Sequence, residues 1–204
     1  METGLLKSFY QTVARDRSRL FTFVVMPDGQ FIPSAGPLMD DERLVTDIIP
    51  GSFNPLHDAH RFMYDNCPNT KSRYFELSIH RIDKSPLELE QLEERLKQFA
   101  WYAPVWVTNA SLFYEKSGLI NRGCSPVFNI GYDTARRLVQ HHGVLGVQGI
   151  GANFRVYRRT IDGKDLGLEH ISEEFDGCPR NMWGDLKLPD NLAVVSSTAI
   201  RAKQ

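Results

Sequence analysis

Long apolar runs, a surplus of one charge and a regular cysteine framework are all missing from this sequence. The longest early apolar stretch, Phe21 to Met26, is interrupted by Thr22 and is far too short to cross a bilayer. The first twenty residues scatter Lys7, Arg15, Arg17 and Arg19 among polar positions, without the apolar core of a secretory leader. Basic and acidic residues number 24 and 25, with no basic block, so neither a nucleic-acid footprint nor a membrane-binding patch is expected. The three cysteines (Cys67, Cys124 and Cys178) are odd in number, widely spaced and unlike a zinc ligand set. These absences point to a soluble, cytoplasmic chain without a disulfide scaffold. Its 204 residues suit one compact domain, or a domain with a short extension. Repeats and low-complexity tracts are lacking as well.

What is present is an alternation of strand-like and helix-like segments. Residues 4–20 place Leu5, Phe9 and Val13 on one helical face; Phe21 to Met26 and Gln30 to Pro33 then flank a Pro-Asp-Gly turn as a hairpin. About 40 residues rarely bury a core alone, so 1–43 read as an N-terminal extension on a main domain of residues 44–204. Strands are expected at 44–49, 73–79, 104–108, 127–131, 150–157 and 192–195. One helix should start near His57. A second should start at Ser85-Pro86-Leu87-Glu88 as a capping box, with Leu89, Leu92, Leu96 and Phe99 as its apolar stripe. A third runs from an Asp133 cap to near Gly143. Residues 160–190, rich in Gly, Asp, Glu and Pro, read as a surface excursion. The alternation predicts right-handed crossovers and an α/β, Rossmann-like, doubly wound parallel sheet.

The most informative stretch is Gly51-Ser52-Phe53-Asn54-Pro55-Leu56-His57-Asp58-Ala59-His60. It follows the first apolar strand of the main domain and opens a helix, the corner where ligands bind in open α/β sheets. Gly51 permits a tight turn, Pro55 stiffens the loop, and the helix start offers unpaired N–H groups and a positive dipole end. His57 and His60 are three apart and share a helical face. Two imidazoles there suit a triphosphate and the charge of a departing pyrophosphate. A His-x-x-His pair by itself also decorates ordinary helices; the strand, glycine and proline around it favour the phosphate role. Near the other end, Ser196, Ser197 and Thr198 place consecutive hydroxyls at a helix start, where they cap it and meet phosphate. Arg201, one turn on, carries forked donors for β- or γ-phosphate.

Gly51, Phe53, Pro55, His57 and His60 resemble the G-x-F-x-P-x-H-x-G-H signature of the α/β-phosphodiesterase nucleotidylyltransferases, a cytidylyltransferase-like superfamily. Val195 to Arg201 resembles its I-S-S-T-x-I-R signature, and Ala59 stands where the family has glycine. The resemblance spans about residues 44–201 and is closest to nicotinamide/nicotinate mononucleotide adenylyltransferase-like proteins. It implies catalytic roles for His57, His60 and Arg201. It also implies nucleotide contacts from Gly51, Ser52, Phe53, Pro55, Gly131, Asp133, Ser196, Ser197 and Thr198, with Gly131 and Asp133 at the ribose or adenine; Asp133 as a plain helix cap is the alternative. Lys84, Thr108, Phe113 and Arg159 are weaker candidates for the acceptor, against readings of Lys84 as solvated and Phe113 as core.

The activity implied is transfer of AMP from ATP to a phosphorylated acceptor, nicotinamide or nicotinate mononucleotide, with release of pyrophosphate, in NAD biosynthesis or salvage. Mg²⁺ is expected to arrive with ATP, held by phosphate and water rather than by a dedicated protein metal site. The partners expected are ATP and a small acceptor, without nucleic acid or membrane, and with a homo-oligomer open. Two rivals stand beside this reading. One is a cytidylyltransferase acting on a phosphorylated alcohol; the other is a nucleotide-binding regulatory protein with little turnover, motivated by Ala59. A class I aminoacyl-tRNA synthetase shares the His-x-x-His logic, but the chain lacks room for a tRNA-binding domain.

Overall fold

A Pro-Asp-Gly turn sets the first architectural feature. Gly29 takes a left-handed φ of 89°, the Asp28 carboxylate accepts the Gln30 N–H at 2.9 Å, and the chain reverses between two strands. The computed structural model describes residues 3–15, 20–33, 46–68, 73–80, 85–120, 126–195 and 200. The hairpin consists of β1 (Thr22–Val25) and β2 (Phe31–Pro33), preceded by helix α1 (Thr3–Arg15). Next come β3 (Thr46–Pro50), α2 (Asp58–Asp65), β4 (Arg73–Ser78), α3 (Leu89–Lys97), β5 (Val105–Thr108) and α4 (Phe113–Leu119). The second half runs β6 (Pro126–Gly131), α5 (Tyr132–Gln148), β7 (Asn153–Tyr157), β8 (Arg159–Ile161), β9 (Lys164–Leu166), α6 (Leu168–Phe175), β10 (Met182–Leu186) and α7 (Asp190–Ala193).

The main sheet has the order β10-β7-β6-β3-β4-β5-β1-β2. From β10 to β5 neighbours pair in parallel, whereas β1 pairs antiparallel with both β5 and β2. The parallel part is doubly wound, as expected from the alternation of elements. The sheet as a whole is mixed, because the hairpin joins it in register, Thr22 opposite Thr108 and Val25 opposite Val105. The boundary read between residues 43 and 44 falls outside the described residues.

Strands buried on both faces need helices on both faces. On one side Ile49, Phe75, Leu77 and Val107 pack with Leu6 of α1, Met63 of α2, and Leu92 and Leu96 of α3. On the other, Ile48, Trp106, Phe128 and Phe154 pack with Leu138 and Val139 of α5 and Ile171 of α6. Each such aliphatic or aromatic side chain contributes roughly 1.5–3 kcal/mol when fully buried. Charge is buried too. Arg155 Nη1 donates to Asp47 Oδ1 at 2.5 Å and to Asn129 Oδ1 at 2.8 Å, and Asn129 Nδ2 donates to Asp47 at 2.8 Å. This closed network ties β3, β6 and β7 together below the strand ends.

Four expectations are corrected. Helix α3 starts at Leu89 with Glu88 as its N-cap, not at Ser85-Pro86; the Leu87 N–H instead bonds to the Ile79 carbonyl at 2.9 Å. Gly131, not Asp133, is the N-cap of α5; the expected break near Gly143 is present, since that residue (φ 69°, ψ 166°) is non-helical and separates two helical stretches of α5 at a kink. Residues 160–190 are not an excursion, since they hold the β8–β9 hairpin, α6 over α5, and the edge strand β10. Their apolar residues Leu168, Ile171 and Met182 are few and set among charges, yet they reach the core. Residues 192–195 are not a strand; Pro189 caps the short helix α7 there. No helix among the described residues is long and apolar enough to cross a membrane.

Candidate active site

Strand order reverses between β3 and β6, which leaves a crevice beyond their carboxyl ends. A cleft of about 430 Å³ lies there, within the range of small-molecule sites. Gly51, Ser52, His57, Ala59 and His60 enter it from the loop after β3 and from α2. Gly131, Asp133, Thr134 and Arg137 enter from β6 and α5, and Arg159 and Val195 from the C-terminal half. Glu76, Ser78, His80, Ser111, Phe113 and Lys116 form a further part of the wall.

The loop after β3 is held by side chains that the sequence reading did not assign to it. Arg95 Nη1 donates to the Ser52 carbonyl at 2.7 Å. Gln98 Nε2 donates to the Phe53 carbonyl at 3.0 Å, and its Oε1 accepts the Leu56 N–H at 2.8 Å. Phe53 itself is fully buried, edge-on to His60, Phe75 and Phe99. Pro55 faces a separate depression beside Arg95 and Gln98. Neither Phe53 nor Pro55 lines the cleft, so they shape the loop from beneath where contact with the nucleotide was expected. Gly51, Ser52 and Ala59 do line it.

His57 is the N-cap of α2 but makes no side-chain cap bond, so its imidazole is not consumed by the helix end. It stacks on His60 with ring centroids 3.8 Å apart and planes 21° apart. The Nδ1 atoms of both rings are buried and have no hydrogen-bond partner among the described residues. Burial, then the positive charge of Arg159, pulls the His57 pKa down to about 4, against a smaller opposing effect of Asp58. Burial, then His57 and Arg159, brings His60 to about 3. Both rings are therefore neutral near pH 7, and each has one N–H to donate.

Arg159 donates through Nη1 to the Val195 carbonyl at 2.5 Å. Its Nε lies 3.4 Å from Asp133 Oδ1, an ion pair without hydrogen-bond alignment. A methyl on Gly131 would only touch the Arg159 stem at 3.5 Å, so the fold alone tolerates a small side chain there. Phe113 lines the cleft yet packs edge-on to Phe128 and Phe154, so it serves the core at the same time. Thr108 is set behind the wall, where its Oγ1 donates to Glu76 Oε1 at 2.8 Å. Glu76 also accepts Ser78 Oγ at 2.8 Å and pairs with Lys116 at 2.8 Å. A charge inside the otherwise apolar run Tyr74-Phe75-Glu76-Leu77 was the available signal for this cluster. The candidates Lys84, Ser196, Ser197, Thr198 and Arg201 lie outside the described residues. Among the described residues no three His, Cys, Asp or Glu side chains gather as a metal cage.

No family model matches the sequence, and no curated protein matches it either. Solved structures do. The Plasmodium falciparum nicotinic acid mononucleotide adenylyltransferase complexed with APC is similar over 77% of this chain and 82% of its own, with a TM-score of 0.51 and 14% identity. The same protein complexed with NaAD gives a TM-score of 0.53 and 16% identity over the same shares. This chain therefore shares the Rossmann-like α/β fold of that nicotinic acid mononucleotide adenylyltransferase.

Proposed function

We propose that the chain is an adenylyltransferase that moves AMP from ATP to nicotinamide or nicotinate mononucleotide and releases pyrophosphate. The observation that carries the reading is the stacked His57–His60 pair, neutral and with Nδ1 atoms unpartnered among the described residues, in one cleft with Arg159 at the switch point. An acceptor phosphate oxygen attacks the α-phosphorus in line as the bond to the β-phosphate oxygen breaks. The acceptor is already anionic, so positioning and charge stabilisation supply the rate. His57 and His60 donate to phosphoryl oxygens, and the amino end of α2 adds its unpaired N–H groups. The Asp133 carboxylate is placed to accept from ribose hydroxyls at the start of α5.

Val195, the residue before Ser196, lines the cleft. This supports a phosphate role for Ser196, Ser197, Thr198 and Arg201, and leaves Lys84 as an acceptor candidate. The cleft carboxylates Asp133 and Glu76 already face cations. That fits a Mg²⁺ ion carried by triphosphate oxygens and water, where it would neutralise phosphate charge. A pyrophosphate-release screen that crosses ATP, CTP, GTP and UTP with mononucleotides and phosphorylated alcohols tests the assignment. Release with ATP and a pyridine mononucleotide supports it. Release with CTP and a phosphorylated alcohol alone would replace it.

A further inference from the structure

The part of the cleft wall formed by Glu76, Ser78 and Lys116 has no use in the phosphate chemistry. Glu76 sits on β4, and β4 and β5 lie across β3 from β6 and β7, where Gly131 and Arg159 enter. If the nucleotide occupies the β6–β7 side, as proposed above, the acceptor ring meets this wall. Glu76 is 1% exposed and its side chain is saturated at one oxygen: Ser78 and Thr108 both donate to Oε1, and Lys116 Nζ takes Oε2. Two hydroxyl donors and an ammonium thus converge on the Glu76 side chain. Lys116, 6% exposed, lies 5.2 Å from the Phe113 ring centroid and has spent one of its three N–H donors on Glu76. The wall thus offers an ammonium donor with a carboxylate next to it, and no net charge.

We propose that the Glu76–Lys116 pair reads the ring substituent of the acceptor and selects an uncharged carboxamide over a carboxylate. A carboxamide matches the pair group for group, its carbonyl accepting from the ammonium while its N–H points to the carboxylate side. A carboxylate would set two anions against one cation in a wall where little water screens them. The inference rests on the acceptor being a pyridine mononucleotide, and it separates this chain from the similar structure named for nicotinic acid.

Titration calorimetry in the presence of a non-hydrolysable ATP analogue tests it, with nicotinamide and nicotinate mononucleotides as the two probes. The wild-type protein should bind the carboxamide form at least about tenfold more tightly. Glu76→Gln keeps an acceptor for the hydroxyls but leaves Lys116 as an unbalanced cation, so it should shift the ratio toward the carboxylate form by at least about tenfold. The double variant Glu76→Gln/Lys116→Met removes that cation and should cancel the shift. Tighter wild-type binding of the carboxylate form, or a ratio unmoved by Glu76→Gln, would overturn the inference and leave a mononucleotide acceptor standing. The wild-type ratio decides the matter even if Glu76→Gln does not fold. Binding of neither probe beside the bound ATP analogue would overturn the acceptor assignment, and this inference with it.

Discussion

The ring of Phe53 occupies the space a side chain on Gly51 would need: a Cβ built on Gly51 would fall 2.5 Å from the Phe53 ring. That ring cannot swing aside, because it is fully buried among His60, Phe75 and Phe99. Gly51→Ala should therefore cost about 1–3 kcal/mol, as for other overpacked sites, and should lower turnover by displacing the loop. Denaturant unfolding and pyrophosphate release check the two effects. An alanine variant with wild-type values in both would remove the steric role given to Gly51.

Gln98 makes its two bonds to the loop with opposite chemistry, donating to Phe53 and accepting from Leu56. Gln98→Ala leaves two backbone groups without these partners and should destabilise the protein by roughly 1–3 kcal/mol. Gln98→Glu keeps only the acceptor and should recover part of that loss. Equal stability of the alanine and glutamate variants would mean that the clamp is not what holds the loop.

Removing a positioned electrostatic donor should show in the chemical step. His60→Ala is expected to raise the barrier by about 2.7–4 kcal/mol under saturating ATP and acceptor, while circular dichroism stays native. A folded variant with wild-type turnover would take His60 out of the catalytic assignment.

Depressed histidine pKa values have a definite sign in stability. The folded-state values of about 4 for His57 and about 3 for His60 lie below the unfolded value of 6.5. The unfolded chain thus binds more protons between pH 6.5 and pH 3, and these two residues make stability fall as pH falls through that window. Above about pH 6.5 they contribute no slope. Unfolding midpoints from pH 7.5 to pH 4.5 should fall less steeply in a His57→Gln/His60→Gln variant. ATP should also flatten the wild-type profile, because phosphate charge beside the rings raises their folded-state pKa. Parallel profiles for wild type and variant would contradict the burial assigned to these imidazoles.

Ala59, 2% exposed, lines the cleft where the resembled signature has glycine. It is the second residue of α2, so Ala59→Gly should cost less than the ~0.8–1 kcal/mol of an interior helix site. An enzyme adapted to alanine should lose little or no activity. A large gain in ATP affinity or pyrophosphate release would instead favour the regulatory reading, with the methyl group as its block.

Most of the sheet was legible because its strands are short apolar runs bounded by Gly, Pro or charge, as in Thr46 to Pro50 and Val105 to Thr108. The cleft was legible from local spacing wherever one segment supplies several of its residues, as the His57–His60 loop does. Contacts made across the sequence were not. Nothing near Gln98 marks it as a partner of a loop 42 residues away, and a glutamine on an amphipathic helix reads as solvated. Periodicity misled at Ser85-Pro86, where good capping chemistry lost to the bond between Leu87 and Ile79. It also failed across 160–190, where a few core residues are diluted by charges such as the Arg158 cluster with Asp165, Glu169 and Asp185.

The antiparallel pairing of β1 with β5 carries a consequence for how the protein is made. The Phe21 N–H bonds to the Asn109 side chain at 2.7 Å, a partner 88 residues further along the chain. A ribosome delivers the early hairpin long before the strand it must join, so Phe23 and Phe31, stacked at 4.5 Å, wait without a sheet to lie on. Until β5 emerges, the hairpin is an apolar two-stranded piece, marginal in water by itself. Once docked, it converts the open side of β5 into an interior seam and leaves only the three residues of β2 as the new edge. A short edge of that kind offers little template for another chain to pair with.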